Sequence, residues 1–82
     1  MANKKILIIE DDRDFAEVVK LILETSYGVV IANSKEEGMK KLAEENPDLL
    51  ILDMMIDKKA EGYIISRELR KDSRFCDLPI IL

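Results

Sequence analysis

Short apolar runs alternate strictly with amphipathic segments along this chain, and no other feature constrains the fold as strongly. The runs are rich in Ile, Leu and Val without polar residues at alternate positions, which is typical of strands buried on both faces. Because right-handed crossovers place helices on both faces of a parallel sheet, the order β-α-β-α-β-α-β predicts an α/β fold. The predicted strands cover residues 5–9, 29–32, 49–52 and 79–82.

The predicted helices have recognisable start or stop signals. The first helix begins at Asp12 or Asp14, either of which can cap it, and ends near Gly28. The second begins at Ser34, which has the capping-box spacing with Glu37. The apolar faces are predicted to be Phe15, Val18, Val19, Ile22 and Leu23 in the first helix, Met39, Leu42 and Ala43 in the second, and Ile64, Ile65 and Leu69 in the third.

Length, charge and composition exclude several classes of function. The 82 residues allow one domain, spanning 1–82, and the net charge of −4 has the wrong sign for binding a nucleic-acid backbone. No apolar run is long enough to cross a membrane and no signal peptide opens the chain, so we expect a cytoplasmic protein without membrane contact. With no histidine and one cysteine, the usual zinc and haem sites and histidine-activated nucleophiles are excluded.

Acidic residues directly follow the first and third predicted strands. Glu10 and Asp11 follow the first strand, and Asp53 follows the third. If these strands are neighbours, about 5 Å apart, the three carboxylates meet in the crevice where doubly wound sheets bind ligands. Such carboxylates repel one another unless a cation lies among them, and oxygen ligands without imidazole or thiol favour Mg²⁺ over Ca²⁺ or Mn²⁺. The sequence therefore predicts a magnesium site.

A magnesium site of this kind suits phosphoryl transfer, in which a carboxylate can be the nucleophile. Asp53 stands alone at its strand end and is the better nucleophile candidate. Glu10 and Asp11 are better placed to hold the metal, one directly and one through water. The chain has neither a glycine-rich phosphate loop nor a histidine, so the phosphoryl group must come from another molecule.

The segments around these acids resemble the receiver domain of two-component response regulators. Residues 5–12 resemble its first strand and acidic pair, residues 47–55 its third strand and phosphoacceptor, and residues 77–82 the start of its fourth strand. The resemblance implies a flavodoxin-like doubly wound sheet with strand order 2-1-3-4. It also implies a domain that is incomplete at its C-terminus and lacks the last strand and the last two helices.

The same resemblance implies a role for each site residue. Asp53 would accept phosphate from the phosphohistidine of a sensor histidine kinase or a phosphotransfer protein. Asp11 would bind Mg²⁺ directly, Glu10 would act through water, and Met55 would contribute its backbone carbonyl. The chain would assist its own phosphorylation without being a metabolic enzyme, and an output domain or effector would read the resulting change of charge.

Two positions differ from the family pattern and keep other functions open. Asp57 stands where the family commonly has proline, and Gly62 lies one residue later than the usual glycine. The first alternative is therefore a pseudo-receiver, an interaction module with this fold but without effective phosphorylation. The last is a haloacid-dehalogenase-like phosphohydrolase, which requires a second aspartate where this chain has Met55.

The family's switch hydroxyl and catalytic lysine would both lie beyond Leu82. Lys58 and Lys59 are close to Asp53 in sequence, but we expect them to form a solvated loop. A sheet that ends at its fourth strand keeps an open edge, and the first helix lacks a neighbour, which favours association. We therefore expect these 82 residues to form a homodimer, to exchange strands, or to be only partly folded.

Overall fold

Four parallel strands and three helices make up the computed structural model, which describes residues 4–82. They alternate in the predicted order, and the strand order β2-β1-β3-β4 confirms the predicted topology. In chain order the elements are β1 (Lys5–Ile9), α1 (Arg13–Leu23), β2 (Gly28–Ala32), α2 (Lys35–Glu45), β3 (Leu49–Leu52), α3 (Glu61–Arg70) and β4 (Ile80–Ile81). Within these residues, no helix combines the length and the apolar composition that a membrane crossing requires.

β1 lies between β2 and β3, and its register aligns the ends of the three strands. Ile9 is paired with Ala32 on one side and with Leu52 on the other. The next main-chain hydrogen bonds continue this alignment: the Glu10 N–H donates to the Ala32 carbonyl at 2.9 Å, and the Asp53 N–H donates to the Ile9 carbonyl at 3.0 Å. Glu10 and Asp53 therefore leave the sheet side by side at its carboxyl edge.

The two faces of the sheet are covered unequally. Successive strand residues point to opposite faces of the sheet. Among residues 4–82, one face packs against both α2 and α3, and the other packs against α1. The buried residues of the first face are Leu7, Ile9, Ala32, Leu42, Leu50, Leu52, Ile56, Ile65, Leu69 and Phe75. Those of the second face are Ile6, Ile8 and Ala16. The first face therefore holds the larger part of the core.

The helix starts follow the predicted capping chemistry. The Asp12 side chain accepts a hydrogen bond from the Phe15 N–H at 3.1 Å, so Asp12 and not Asp14 caps α1. Ser34 accepts one from the Glu37 N–H at 3.1 Å and caps α2. α1 ends at Leu23, before the predicted end near Gly28, because the main chain turns there and leads directly into β2.

The predicted apolar face of α1 is wrong in part. Ala16 is fully buried, and Val19 and Leu23 pack beside it on the sheet. Phe15 and Ile22 are instead 55% and 68% exposed, and Val18 is also exposed. The side of α1 that faces the sheet is therefore the one that carries Ala16, Val19 and Leu23.

Buried glycines determine which sides of α2 and α3 face the sheet. Gly38 and Leu42 face inward in α2, while Ala43, which was predicted to be buried, is exposed. Gly62, Ile65 and Leu69 face inward in α3, while Ile64 is 44% exposed. Hydrophobicity alone does not identify these faces, because a glycine lets the helix lie close to its neighbour although it contributes no apolar side chain.

The chain after α3 contributes one buried side chain and a short strand. Phe75 is 5% exposed and joins the larger core cluster, although no helix or strand contains it. The predicted strand over 79–82 is shorter in the structure, where β4 contains only Ile80 and Ile81. Pro79 lacks an N–H for ladder pairing, but its carbonyl accepts a hydrogen bond from the Leu50 N–H at 3.0 Å.

Candidate functional site

Three acidic side chains meet at the carboxyl edge of the sheet. Glu10 and Asp11 follow β1, Asp53 follows β3, and one carboxylate oxygen of each lies within 4.8 Å of the others. The adjacent pairing of β1 and β3 brings them together although they are far apart in sequence. The structure thus places the three side chains as the order of the strands predicted.

The carboxyl group of Glu10 has an unusual proton affinity. Partial burial, together with a hydrogen bond to the neighbouring Asp53 side chain, raises the pKa of Glu10 to about 7. Its Oε2 also accepts a hydrogen bond from the Asp12 N–H at 3.3 Å, which acts in the opposite direction. The Glu10 carboxyl group therefore binds its proton more strongly than an isolated glutamate does, and a cation bound among the three acids would oppose this.

The carboxylate of Asp11 is held by the loop that follows β3. The Asp57 main-chain N–H donates to Asp11 Oδ2 at 2.8 Å, and this hydrogen bond is the main reason that the pKa of Asp11 is lowered. The donor lies far along the chain from Asp11, in the segment that departs from the family pattern. No local sequence signal indicates this contact, because the two residues are far apart along the chain.

Asp53 is held by its own loop and by the start of α3. Its Oδ1 accepts a hydrogen bond from the Met55 N–H at 3.2 Å. Gly62 is buried against the Asp53 carbonyl, and its N–H donates to the Met54 carbonyl at 3.1 Å. A Cβ at position 62 would lie 2.7 Å from the carbonyl carbon of Asp53 and 2.9 Å from Met54 Cα. The position of Asp53 therefore requires glycine at the first turn of α3.

Asn33 supports the site from the end of β2. Its side-chain Nδ2 donates to the Glu10 carbonyl at 2.9 Å, and its main-chain N–H donates to Glu37 Oε1 at 2.6 Å. Asn33 thereby fixes the main chain that carries Glu10. The available sequence signal was its position: Asn33 directly follows a strand at the edge where the acids cluster.

The unusual loop after β3 forms a tight hairpin turn. The N–H of Ile56 donates to the Lys59 carbonyl at 2.9 Å, and the Lys59 N–H donates back to the Ile56 carbonyl at 3.0 Å. The two central residues, Asp57 and Lys58, have φ of 54° and 60°, as a type I′ turn requires. This turn accommodates the additional residue before Gly62 and leaves Lys58 and Lys59 exposed, as predicted.

The donor set is chemically suited to a hard divalent cation. Three carboxylates supply only oxygen ligands, which fits Mg²⁺ or Ca²⁺ better than a soft transition metal. A cleft of about 410 Å³ adjoins Asp11 between the turns that follow β2 and β3. The contribution of the Met55 carbonyl stays a prediction, and the contact that links Met55 to the cluster is the hydrogen bond from its N–H to Asp53 Oδ1.

Comparison with known proteins gives a consistent family assignment. The family model described as "Response regulator receiver domain" matches residues 6–82. A solved signal receiver domain of a DNA-binding response regulator from Colwellia psychrerythraea 34H superposes with a TM-score of 0.87 at 26% identity, covering 95% of this chain and 65% of that one. The receiver-protein N-terminal domain from Methanoculleus marisnigri JR1 gives 0.84 at 28% identity, covering 93% and 62%.

Curated relatives agree with this assignment. The "Probable C4-dicarboxylate response regulator DctR" of Bacillus subtilis is 42% identical over 86 residues, which cover 99% of this chain and 38% of that protein. The "Alkaline phosphatase synthesis transcriptional regulatory protein PhoP" of the same species is 39% identical, covering 84% of this chain and 29% of that protein. The chain thus spans well under half the length of these relatives. With its strand order, its acidic edge and these matches, the chain belongs to the response regulator receiver family of two-component systems.

Proposed function

We propose that this receiver domain accepts a phosphoryl group on Asp53 from the phosphohistidine of a partner kinase or phosphotransfer protein. The supporting observation is the convergence of Glu10, Asp11 and Asp53, with one oxygen of each within 4.8 Å of the others. A carboxylate nucleophile beside two further carboxylates requires a cation to approach an anionic donor. The proposed function therefore includes Mg²⁺ held by these three side chains and by the Met55 carbonyl.

In the proposed reaction, an oxygen of the Asp53 carboxylate attacks the phosphorus atom of the donor. A new O–P bond forms, the P–N bond to the donor imidazole breaks, and the imidazole leaves with the electron pair of that bond. When bound, Mg²⁺ would neutralise charge on the phosphoryl oxygens. Gly62 and the Met55 N–H orient Asp53 for this attack, while Glu10 and Asp11 supply the negative charge that holds the cation.

A protein donor can reach Asp53 across apolar surface. Phe15 and Met54 are 55% and 43% exposed, and both line a cleft of about 350 Å³ that also contains Asp53. Exposed apolar side chains beside a reactive group are suited to transient protein contact. The chain would then assist its own modification, without turning over a metabolite, and the added charge would be read by an output domain or effector.

The substitution Asp53→Asn tests the nucleophile assignment. The protein is incubated with Mg²⁺ and a small phosphodonor, and the covalent adduct is followed by intact mass. The parent should gain one phosphoryl group that is lost at alkaline pH, whereas Asp53→Asn should gain none. Asp48→Asn is the matched control because Asp48 lies just before β3, at the opposite edge of the sheet, where it accepts a hydrogen bond from the Lys5 N–H. Equal labelling of Asp53→Asn and the control would refute the assignment.

The pseudo-receiver remains the second candidate, and the hairpin turn at Asp57 and Lys58 favours it because the turn differs from the family pattern. Beryllofluoride separates the two functions. A phosphorylatable site should form the adduct on Asp53 in the presence of Mg²⁺, detected as chemical-shift changes around Asp53 and Met55. A pseudo-receiver should bind the metal without forming the adduct.

A further inference from the structure

We propose that the turn after β3 positions Asp11 for its cation through the main-chain N–H of Asp57. This inference rests on the proposed function, since it concerns the same metal site. It assigns a role to the segment in which the chain departs from its family. The proposal depends on the main chain at position 57 and on no property of the Asp57 carboxylate.

The geometry of the turn leaves the main-chain N–H of Asp57 free to donate to a group outside the turn. In a two-residue hairpin, the flanking residues bond to each other, so Ile56 and Lys59 use their N–H and carbonyl groups within the turn. The N–H groups of the central residues point away from that pair. The Asp57 N–H donates to Asp11 Oδ2 at 2.8 Å, which is a favourable length for a charge-assisted hydrogen bond.

The positive φ values of Asp57 and Lys58 have a cost in conformational energy. Asp57 tolerates the left-handed region through its short polar side chain, but Lys58 at φ 60° adopts a conformation that lysine rarely takes. Strain of this kind persists where surrounding contacts fix the conformation. The reciprocal hydrogen bonds of Ile56 and Lys59, the burial of Ile56 and the contact with Asp11 together fix it here.

Holding one oxygen of Asp11 restricts the rotation of its carboxylate before a cation arrives. The other oxygen, and the remaining lone pair of Oδ2, stay available as ligands. Groups that hydrogen-bond to a metal ligand typically change metal affinity 10–100-fold when they are removed. A proline at position 57 has no N–H and cannot supply this hydrogen bond, so the residue in this chain adds an interaction that the common family pattern lacks.

The direct test replaces single main-chain N–H groups by ester oxygens in the synthetic 82-residue protein. An ester at position 57 removes the donor to Asp11 without changing a side chain, and it also weakens the Ile56 carbonyl as the acceptor of the Lys59 N–H, an effect that the Asp11→Asn background separates from the loss of the donor. An ester at position 58 is the matched control, since among residues 4–82 no hydrogen bond is donated by the Lys58 N–H. Mg²⁺ affinity is measured by titration calorimetry. The ester at 57 should weaken binding by about tenfold or more, and the ester at 58 should not.

Genetic variants provide a second measurement. Asp57→Pro removes the N–H and cannot adopt the φ of 54° at this position, so it should weaken Mg²⁺ binding, whereas Asp57→Gly keeps the N–H, suits positive φ and should retain binding. In an Asp11→Asn background, the additional effect of Asp57→Pro should disappear, because the N–H acts through the Asp11 carboxylate. If the turn acted only by supporting the fold, Asp57→Pro would still have its additional effect in the Asp11→Asn background. In the parent, the Asp57 amide proton should exchange slowly, and Asp11→Ala should remove this protection.

The outcomes separate the two proposals. If the parent binds Mg²⁺ and the ester at 57 binds it equally well or more tightly, the positioning role is overturned while the proposed function stands. If the parent does not bind Mg²⁺ at all, both are overturned. Weaker binding by the ester at 57 alone, with the loss absent in Asp11→Asn, supports the role of the turn.

Discussion

Gly62 offers the sharpest test of how the fold fixes the phosphoacceptor. In Gly62→Ala the new Cβ would lie 2.7 Å from the carbonyl carbon of Asp53 and 2.9 Å from Met54 Cα, where real Cβ contacts do not occur. The obstructing atoms are main chain, so relief requires α3 to move away from β3. Overpacking of this kind costs about 1–3 kcal/mol, and main-chain obstruction places the cost near the upper end. Alanine recovers about 1 kcal/mol in helix propensity. The net loss is about 2 kcal/mol.

Urea unfolding followed by circular dichroism measures this loss. In a domain of this size, about 2 kcal/mol corresponds to a fall in melting temperature on the order of 10 °C. Gly28→Ala is the matched control, because a Cβ at position 28 would lie 3.8 Å from the Lys4 carbonyl oxygen in ordinary contact. Gly62→Ala should also reduce phosphorylation of Asp53. Equal stability of the two variants, with phosphorylation unchanged, would refute the steric argument.

Two further predictions concern pH and association. Folding raises the pKa of Glu10 from 4.5 to about 7, so the folded chain binds more protons than the unfolded chain between these two pH values. In the absence of divalent ions, the free energy of unfolding should therefore fall as pH rises from about 4.5 to 7. Urea titrations at a series of pH values measure this fall. A free energy of unfolding that does not change over this pH range would contradict the prediction. Because Phe15 and Ile22 are exposed on α1, the chain should associate, and changing both to serine should shift the light-scattering mass towards monomer. A monomeric parent at all concentrations would refute this expectation.

The sheet was predictable because its signals are local and redundant. The strand Leu49–Leu52 has the predicted limits, since a continuous apolar run lies between Asp48 and Asp53. The strand order follows from the family resemblance, and the meeting of the acids follows from that order. The rules on parallel sheets predict that ligands bind at the carboxyl edge, and the family resemblance supplies the neighbouring strands that place Glu10 beside Asp53.

The helix faces and the loop contacts were less predictable for a different reason. The start of α3 lies against the main chain of Asp53 and Met54 because Gly62 has no side chain, whereas hydrophobic patterning gives most weight to large side chains such as Ile22, which is exposed. The contact from the Asp57 N–H to Asp11 depends on main-chain direction in a turn with positive φ. The Asp-Lys pair at its centre is not a strong signal for that turn, which usually contains glycine or asparagine.

The pairing of β1 with β3 makes the acidic edge a junction between segments that are far apart along the chain. Forming this pairing requires the intervening α1, β2 and α2 to be enclosed as one large loop, at a cost in chain entropy. A cation shared by Glu10 and Asp53 would bridge the two ends of that loop in the folded chain only. At a hundred times its dissociation constant, such an ion would add about 2.7 kcal/mol to stability. The ion proposed for phosphoryl transfer would then also act as a non-covalent cross-link that helps the sheet to assemble.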